Sequence, residues 1–371
     1  MPSSARKKAA PDKAASPVSM SDLAKELGVS VTTISRALSD HFSIGPATKK
    51  RVLQLAKKRN YQPNHLAAAL RKGKSKLIGV IVPHIYGSFF PAVTHGIERA
   101  ASKAGYSVIL CQSHEDVELE RQCLETLIGA QVEGILVSLA RTAQDLRHFQ
   151  KVQQRGTPLV FFDRILENAA VNAVVLDDRK GGYVTTRHLL EQGCRRIAHF
   201  AGPQQLNIYR NRRQGYLDAL EEYGVPANEE LIVYCDMTLE DGQQGMKQLL
   251  SLRTPPDAVF AAGDFTAMGA LHTIRDQLLQ VPQDIALAGF SNEAFTYLLE
   301  PRITSVNQKG DQMGQAVIQL LLDVVNQQPG QPLQQVVLEP ELLVRTSSLA
   351  GREPAAPKAK PASRKPAAGR K

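Results

Sequence analysis

The chain has 371 residues, of which 43% are hydrophobic, and a net charge of +9 at pH 7. Its sequence contains no apolar run of membrane length, and its four cysteines, Cys111, Cys123, Cys194 and Cys235, show no CxxC spacing. The composition therefore excludes a membrane-spanning protein and a disulfide-rich secreted domain, and it predicts reduced thiols in a cytoplasmic protein.

The charge is unevenly distributed along the chain. Residues 1–76 carry 16 Lys and Arg against 4 Asp and Glu, and residues 352–371 carry 7 against 1. Residues 77–351 carry 22 against 31. A basic head and a basic tail on either side of an acidic body predict a polyanionic partner for the two ends.

Residues 1–17 are rich in Ala, Ser, Pro and Lys, and they lack the apolar stretch of a secretory signal. We expect a disordered basic tail there. Residues 351–371 have a similar composition, and we expect a second disordered basic tail. Such tails attract DNA without sequence preference or serve only to keep the protein soluble, and the composition does not separate the two roles.

Residues 18–63 have the spacing of a helix-turn-helix domain. Ser21 is a candidate N-cap of a first helix, Gly28 ends that helix, and Ser30 is a candidate N-cap of a second helix that ends at Leu38. Pro46 suits the first turn of a third helix. Apolar residues recur at helical spacing in all three and predict a small core, formed by Leu23, Ala24, Leu27, Ile34, Ala37, Leu38, Val52, Leu53 and Ala56.

The polar face of the second predicted helix suggests contact with DNA. The second helix of such a unit lies in the major groove. Arg36 can form a forked pair with guanine, Thr32 can hydrogen-bond to a base, and Val31 can meet a thymine methyl group. The predicted DNA contacts of the domain are Ser21, Val31, Thr32, Thr33, Ser35 and Arg36. The third helix adds six basic residues between Lys49 and Arg59, some for phosphate contacts and some simply solvated. A helical bundle with a basic face is the alternative interpretation.

Four segments, SDLAKELGVSVTTISRALSD, YQPN, AAALRKGKS and IGVIVP, occur here in that order. Together they resemble the lactose-repressor/galactose-repressor (LacI/GalR) family of bacterial transcriptional regulators, from about Val18 to about Leu349. The resemblance implies that residues 64–76 are a hinge helix and linker that fold in the DNA minor groove. It places Asn64, His65, Leu70 and Arg71 at the DNA, with Leu70 inserted between base pairs.

The residues of this segment agree with that expectation. Asn64 can cap a helix and the alanines at 67–69 favour one, but eight residues are too few for a stable isolated helix, so folding would be coupled to binding. An apolar wedge such as Leu70 is what kinks a duplex from the minor groove. The alternative is a plain linker helix with Leu70 packed on the following domain.

The body of the chain alternates between apolar runs of strand length and helical stretches, which predicts parallel sheets with helices on both faces. The predicted strands are 77–82, 106–111, 134–139, 158–163, 173–176, 196–201, 231–235, 258–262 and 285–290, and the predicted helices include 117–129 and 209–223. The length of this region suits two lobes. The resemblance implies a two-lobed α/β core like a type I periplasmic binding protein. It divides residues 77–350 into one lobe of 77–176 plus 307–335 and another of 177–306 plus 336–350.

In such a core a small molecule binds at the carboxyl ends of the strands. The predicted effector contacts are Phe89, Phe90, Asp163, Arg212, Met237, Asp264, Ser291 and Asn292. The resemblance assigns Arg212 and Met237 to the cleft. Some of these predictions have an alternative: core packing for one of the two phenylalanines, pairing of Asp163 with Arg164, a surface position for Arg212 and helix capping by Asp264.

Two positions depart from the pattern of sugar-responsive family members. Many of these have Asn where this chain has Gly263 and Asp where it has Ser291. The usual acidic partner of a ligand hydroxyl is therefore missing, and Ser291 or Asn292 could replace it with single hydrogen bonds. The effector is expected to be carbohydrate-related or another metabolite such as a purine.

No phosphate-binding loop, G-x-S-x-G turn, paired-carboxylate signature or metal-ligand spacing is present in the sequence. We therefore predict no catalytic residue, metal site or cofactor. The sequence predicts a cytoplasmic, homodimeric repressor that binds a palindromic DNA operator under the control of a small-molecule effector. The alternatives are a solute-binding protein with the same core and a non-specific architectural DNA-binding protein.

Overall fold

The computed structural model describes residues 18–61, 75–166, 169–326 and 331–349. The predicted hinge residues Asn64, His65, Leu70 and Arg71 lie outside the described residues, as do the two predicted tails. The chain divides into two compact units, with the boundary after Ser75. The first unit contains the described helices of residues 18–61, and the second contains both sheets.

The first unit, the head, has three helices, α1 (Met20–Leu27), α2 (Val31–Leu38) and α3 (Pro46–Lys58). The predicted N-cap at Ser21 is wrong, because the cap is Ser19. The Ser19 hydroxyl accepts a hydrogen bond from the Asp22 backbone N–H, and the Asp22 carboxylate accepts one from the Ser19 backbone N–H at 2.9 Å. This reciprocal capping box leaves Ser21 in the first turn of the helix, where it is exposed.

The turn between α1 and α2 follows the sequence prediction. Gly28 adopts a left-handed conformation with φ of 67°, which glycine accepts without a Cβ clash, and its backbone N–H bonds to carbonyls of the last turn of α1. Ser30 caps α2 by accepting a hydrogen bond from the Thr33 backbone N–H at 3.1 Å.

The head core differs from the prediction at two positions, Leu53 and Leu55. The buried residues are Leu23, Ala24, Ile34, Ala37, Val52, Leu55 and Ala56. Leu53 was predicted to close this core, but it is 55% exposed. Val52, Leu55 and Ala56 share one face of α3 because they are three or four residues apart, and Leu53 lies about 100° around the helix from Val52.

The second unit has two six-stranded sheets, and each sheet forms the centre of one lobe. In the first lobe the strand order is β11-β5-β4-β3-β1-β2, and all neighbouring strands are parallel. These strands are β1 (Leu77–Val82), β2 (Ser107–Gln112), β3 (Gly134–Val137), β4 (Leu159–Phe162), β5 (Ala173–Leu176) and β11 (Gln335–Leu338). Its helices are α4 (Phe89–Lys103), α5 (Val117–Gly129), α6 (Gln150–Gln154) and α11 (Gly310–Asn326).

The sheet of the second lobe has the order β12-β10-β9-β8-β6-β7. Its strands are β6 (Ile197–Phe200), β7 (Ile232–Val233), β8 (Ala258–Ala261), β9 (Ala286–Phe290), β10 (Thr304–Asn307) and β12 (Glu341–Leu343). Its helices are α7 (Asp178–Glu191), α8 (Asn207–Tyr223), α9 (Leu239–Leu250) and α10 (Asp264–Asp276). The chain thus leaves the first lobe after β5 and returns to it for α11 and β11.

Three features of the sheets were not anticipated. β10 had not been predicted, and β12 is antiparallel to β10 in an otherwise parallel sheet. The lobe boundary predicted at about residue 335 comes too early, because all of Gln335–Leu338 pairs with Ala173–Leu176 in the first lobe. The chain re-enters the second lobe only at β12, after a two-residue connection.

Several strands are one or two residues shorter than predicted, and the predicted strand at 231–235 is reduced to Ile232–Val233 after a 3₁₀ turn at Glu229–Leu231. Among the described residues, no helix is long and apolar enough to cross a membrane.

Candidate effector cleft and nucleic-acid interface

A cavity of about 140 Å³ lies between the two lobes. Its walls come from the loops that follow the carboxyl ends of β1, β2 and β4 in the first lobe and of β6, β7, β8 and β9 in the second. Parallel strands place these loops at the same edge of each sheet. Seven of the eight predicted effector residues line the cavity, namely Phe89, Phe90, Asp163, Arg212, Met237, Asp264 and Ser291.

Arg212 lies inside the protein, not on its surface as the alternative interpretation held. It is 2% exposed, and its Nε donates to Asp178 Oδ1 at 2.7 Å while Nη1 donates to the Ala262 carbonyl at 2.8 Å. Its guanidinium lies 3.7 Å from the ring centre of Phe290. The third nitrogen, Nη2, is buried without a hydrogen-bond partner among the described residues. Arg212 therefore has one unpaired hydrogen-bond donor, Nη2, at the cavity wall.

Two glycines explain why this arginine can be buried between helices α7 and α8. A Cβ on Gly182 of α7 would lie 2.1 Å from the Arg212 carbonyl oxygen. A Cβ on Gly215 of α8 would lie 2.0 Å from the Arg179 carbonyl oxygen. Both contacts are closer than any side chain allows, so the two helix backbones touch, and Arg212 is brought against Asp178 at the start of α7.

Asp163 and Arg164 follow β4 directly, but their pairing is weak. Arg164 Nη1 donates to Glu115 at 2.7 Å, whereas its Nε is 3.9 Å from Asp163. Burial raises the pKa of Asp163 against the opposing charges of Arg164 and Arg212. Although burial opposes it, the charge of Arg164 holds the pKa of Glu115 below its usual value. Glu115 and not Asp163 is therefore the main partner of Arg164.

Asp264 is the first residue of α10 and does not cap that helix. The cap is Gly263, which makes no side-chain bond. The carboxylate of Asp264 instead accepts from the Ser305 hydroxyl at 2.8 Å and from the Glu293 backbone N–H at 2.8 Å. Burial raises the pKa of Asp264 to about 6. These bonds tie the carboxylate to the protein and leave it less free to receive a ligand.

Asn292 does not line the cavity, unlike the other predicted effector residues. Its side-chain oxygen accepts from Arg345 Nη2 at 2.6 Å, and its backbone N–H donates to the Ser305 hydroxyl. The suggestion that Asn292 replaces the missing acidic residue is therefore not supported by its position. Ser291 remains at the wall.

Aromatic rings form the first-lobe side of the cavity. Phe90 is buried in the lobe core, and Phe89 is only partly buried. His84 stacks on Tyr86 with 3.8 Å between ring centres and meets Phe90 edge-on. Burial lowers the pKa of His84 to about 4, helped by the charge of Arg164, so this imidazole is neutral at pH 7. The wall therefore combines apolar ring faces with a neutral imidazole.

Direct contacts join the two lobes around this cavity. The Arg141 guanidinium is 2.8 Å from the Asp236 carboxylate, and the Ala294 backbone N–H donates to the Ser88 hydroxyl at 3.2 Å. The Asn207 side chain accepts from the Ile165 backbone N–H at 3.0 Å and donates to the Asp163 carbonyl. The two lobes are therefore held together on several sides of the cavity.

The predicted DNA surface of the head is α2 together with the basic face of α3. Val31, Thr32 and Arg36 are exposed, while Thr33 and Ser35 are half-buried. The Thr33 hydroxyl also lies 2.9 Å from that of Ser30. Of the six basic residues of this segment, Lys49 pairs with Asp40 and Arg59 with Glu26, whereas Lys50, Arg51, Lys57 and Lys58 point to solvent.

The fold agrees with that of similar proteins. Residues 19–64 match the family described as bacterial regulatory proteins, lacI family, and residues 186–348 match the periplasmic binding protein-like domain. The HTH-type transcriptional repressor PurR of Photorhabdus laumondii is 31% identical over 332 residues, which cover 89% of this chain and 96% of that protein. The chain belongs to the lacI family of bacterial regulatory proteins.

Two solved structures are similar to this lacI-family protein over most of its length. The complex of the transcriptional regulator CelR with cellobiose is 30% identical, covers 89% of this chain and 99% of that chain, and has a TM-score of 0.68. The lac repressor dimer bound to operator and the anti-inducer ONPF is 24% identical, covers 90% and 100%, and with a TM-score of 0.81 shows the same fold. The predicted family and fold class are confirmed, and the protein is a DNA-binding transcriptional regulator.

Several cavity residues of this lacI-family protein were missed in the sequence. They are His84, Tyr86, Glu115, Tyr209, Asp236 and Glu293, together with Asp178 behind the wall. Glu115 and Asp236 follow the ends of β2 and β7, so the position of a carboxylate after a strand could have revealed them. Glu293 follows the end of β9 in the same way, whereas Tyr209 carries no such signal because it approaches the cavity from helix α8.

Proposed function

We propose that this protein is a homodimeric repressor that binds a palindromic DNA operator in the cytoplasm. We propose further that a small polar metabolite, related to carbohydrate, sets its affinity for that operator. The observation that carries the proposal is Arg212, whose Nη2 is buried and unpartnered at the wall of a cavity between two lobes. In this proposal the protein acts by binding and not by catalysis.

The size and polarity of the cavity support a small, hydrogen-bonding effector. Its volume of about 140 Å³ is below the roughly 300–1,000 Å³ of pockets for drug-sized ligands. Besides Arg212 Nη2, the buried nitrogens His84 Nδ1 and Arg164 Nε lack hydrogen-bond partners among the described residues. Because an unpaired buried donor is costly, a ligand oxygen that accepts from the two arginine nitrogens would stabilise the closed lobes. The complex of the similar regulator CelR with cellobiose agrees with a carbohydrate.

Control of DNA binding requires that the effector favours one arrangement of the lobes. The contacts between Arg141 and Asp236 and between Ser88 and Ala294 would break if the lobes opened. An effector that binds only the closed arrangement shifts this equilibrium, and its coupling to DNA affinity must be reciprocal. We propose that the segment of residues 64–76 transmits this change through Leu70, which lies outside the described residues.

An apolar surface on the second lobe supports a dimer. A groove of about 450 Å³ on α10 is lined by residues that include Met268, Leu271 and Leu299. Nearby, Tyr297 is 52% exposed and Leu298 is 73% exposed. Adjacent exposed apolar side chains mark an interaction surface, and a second copy of the chain suits a twofold operator.

Selection of genomic DNA fragments tests this function. The full-length protein is mixed with sheared DNA of its source at about 150 mM salt, and the bound fragments are sequenced. We expect enrichment of a palindrome whose half-sites lie one helical turn, or a multiple of it, apart. Equal recovery of all sequences would instead identify an architectural DNA-binding protein, and no recovery would favour a solute-binding protein.

Two variants of the head sharpen this test. Arg36→Ala should relax the preference at one base pair of each half-site and weaken operator binding by about tenfold to hundredfold. Lys50→Ala, on the exposed face of α3, should weaken binding to all sequences about equally and reduce its salt dependence. Identical effects of both changes would contradict the assignment of base contacts to α2.

A further inference from the structure

The acidic residue that many sugar-responsive relatives carry at the position of Ser291 is absent here, yet another carboxylate lies in the same loop. We propose that Glu293 is the residue that accepts a hydrogen bond from a hydroxyl group of the effector, and that it determines which effectors bind. This inference rests on the proposed function of the cavity as an effector site.

The position of Glu293 supports this role. Its side chain lines the cavity and the residue is 6% exposed. Its carboxylate crosses to the first lobe, where a Cβ added to Gly87 would lie 2.9 Å from Oε1. Within the described part of the chain, no group donates a hydrogen bond to this carboxylate. Its oxygens therefore keep accepting capacity that a ligand in the cavity can use.

The other carboxylates of the cavity already have partners, and Asp163 accepts a hydrogen bond from the Ser138 hydroxyl at 3.4 Å. Asp264 accepts from Ser305 and from the Glu293 backbone N–H. Asp236 pairs with Arg141, and one oxygen of Glu115 accepts from Arg164 and from the Arg141 backbone N–H. Glu293 is therefore the carboxylate with the most accepting capacity left.

The unengaged groups of the cavity define the chemistry of the effector. Glu293 can only accept hydrogen bonds while it is ionised, whereas Arg212 Nη2 and Arg164 Nε can only donate. A hydroxyl group both donates and accepts, so one polyhydroxylated molecule can satisfy both sides. A carboxylate ligand could serve the arginines but would be repelled by Glu293.

The experiment measures binding of named probes to the full-length protein by calorimetry and thermal shift. The neutral probes are D-glucose, D-galactose, D-ribose, myo-inositol and cellobiose, and the anionic probes are D-gluconate and D-galacturonate. We expect a neutral probe to bind most tightly. Glu293→Gln should weaken that probe by about tenfold to hundredfold, the loss of a hydrogen bond to a charged acceptor. It should weaken the anionic probes less or strengthen them, because the repelling charge is removed.

Glu221→Gln is the matched control, because it makes the same chemical change on the exposed face of α8 and should leave all affinities unchanged. The inference is overturned if Glu293→Gln binds every probe like the natural protein, or if it weakens neutral and anionic probes equally. It is also overturned if an anion binds most tightly or if no neutral probe binds.

A third variant separates this inference from the proposed function. If Arg212→Met loses probe binding while Glu293→Gln does not, the cavity is an effector site and only the role of Glu293 is wrong. If neither variant changes the affinity of a probe that binds, the cavity is not the site, and the proposed function fails with the inference.

Discussion

Arg212 and Asp178 form a buried ion pair behind the effector cavity, with Nε and Oδ1 2.7 Å apart. Arg212 is 2% exposed and Asp178 is 1% exposed. On each residue one atom, Nη2 of the arginine and Oδ2 of the aspartate, has no hydrogen-bond partner among the described residues. The bond to Asp178 holds the guanidinium through Nε, and Nη2 remains available to a ligand in the cavity. The packing of α7 against α8 therefore determines where this hydrogen-bond donor lies in the site.

Arg212→Met should abolish the response to the effector. Methionine keeps much of the apolar volume but removes the donor, so effector affinity should fall about a hundredfold or more. The measurement is the ratio of operator Kd values with and without the tightest neutral probe, which should approach one in the variant. An unchanged ratio would exclude Arg212 from the site.

The pH dependence of the free energy of unfolding should show the raised pKa of Asp178. Burial raises the pKa of this carboxyl to about 7, against the lowering effect of Arg212, whereas its ordinary value is 3.8. An acid with a raised folded-state pKa stabilises the fold below its unfolded pKa, and that contribution is lost as pH rises through the folded value. Relative to Asp178→Asn, the natural protein should therefore lose about 1.4 kcal/mol per pH unit between pH 5 and pH 7.

Guanidinium unfolding at pH 5, 6, 7 and 8 measures this difference. Asp218→Asn is the control, because a hydrogen bond from Arg179 lowers the pKa of Asp218 below 3.8. The difference in the free energy of unfolding between this variant and the natural protein should stay constant over the same pH range. A constant difference for Asp178→Asn as well would show that this carboxyl is ionised throughout.

The capping box of α1 gives a stability prediction for the head. Ser19→Ala should destabilise the head by about 1 kcal/mol, because it removes the acceptor for the Asp22 N–H. Ser21→Ala should change it by less than about 0.5 kcal/mol, since Ser21 is an exposed residue of the first turn. Thermal melts of both variants by circular dichroism provide the comparison, and equal losses would contradict the assignment of the cap to Ser19.

Replacement of Leu23 and of Leu53 by alanine compares the same chemical change at a buried and at an exposed position of the head. Leu23 is fully buried in the head core, and Leu23→Ala should cost about 2–5 kcal/mol, a large part of the stability of so small a unit. Leu53 is 55% exposed, so Leu53→Ala should cost less than about 0.5 kcal/mol. Amide hydrogen exchange of the head helices measures both, and a large loss of protection in Leu53→Ala would place that residue in the core.

The amino-acid sequence by itself determined most elements of this protein and the order in which they occur. The spacing of apolar residues, together with the helix-boundary residues Gly28, Ser30 and Pro46, predicted the three head helices. Apolar runs of strand length predicted the bounds of most strands within two residues. These signals are local, because helix capping and strand alternation depend on residues a few positions apart. Family motifs then supplied the two-lobed core and the place of the cavity.

Only the tertiary structure decided which cavity groups are engaged and which are unengaged. Asp264, Asn292 and Glu293 occur close to strand ends and are equally polar in the sequence. Their roles differ because Ser305 and Arg345, distant in the chain, bind the first two and leave Glu293 without a donor. The same holds for Asp178 and Arg212, which meet because two helices touch at glycines. Whether a polar group has a hydrogen-bond partner depends on residues that are far apart in the chain, so no local sequence pattern can predict it.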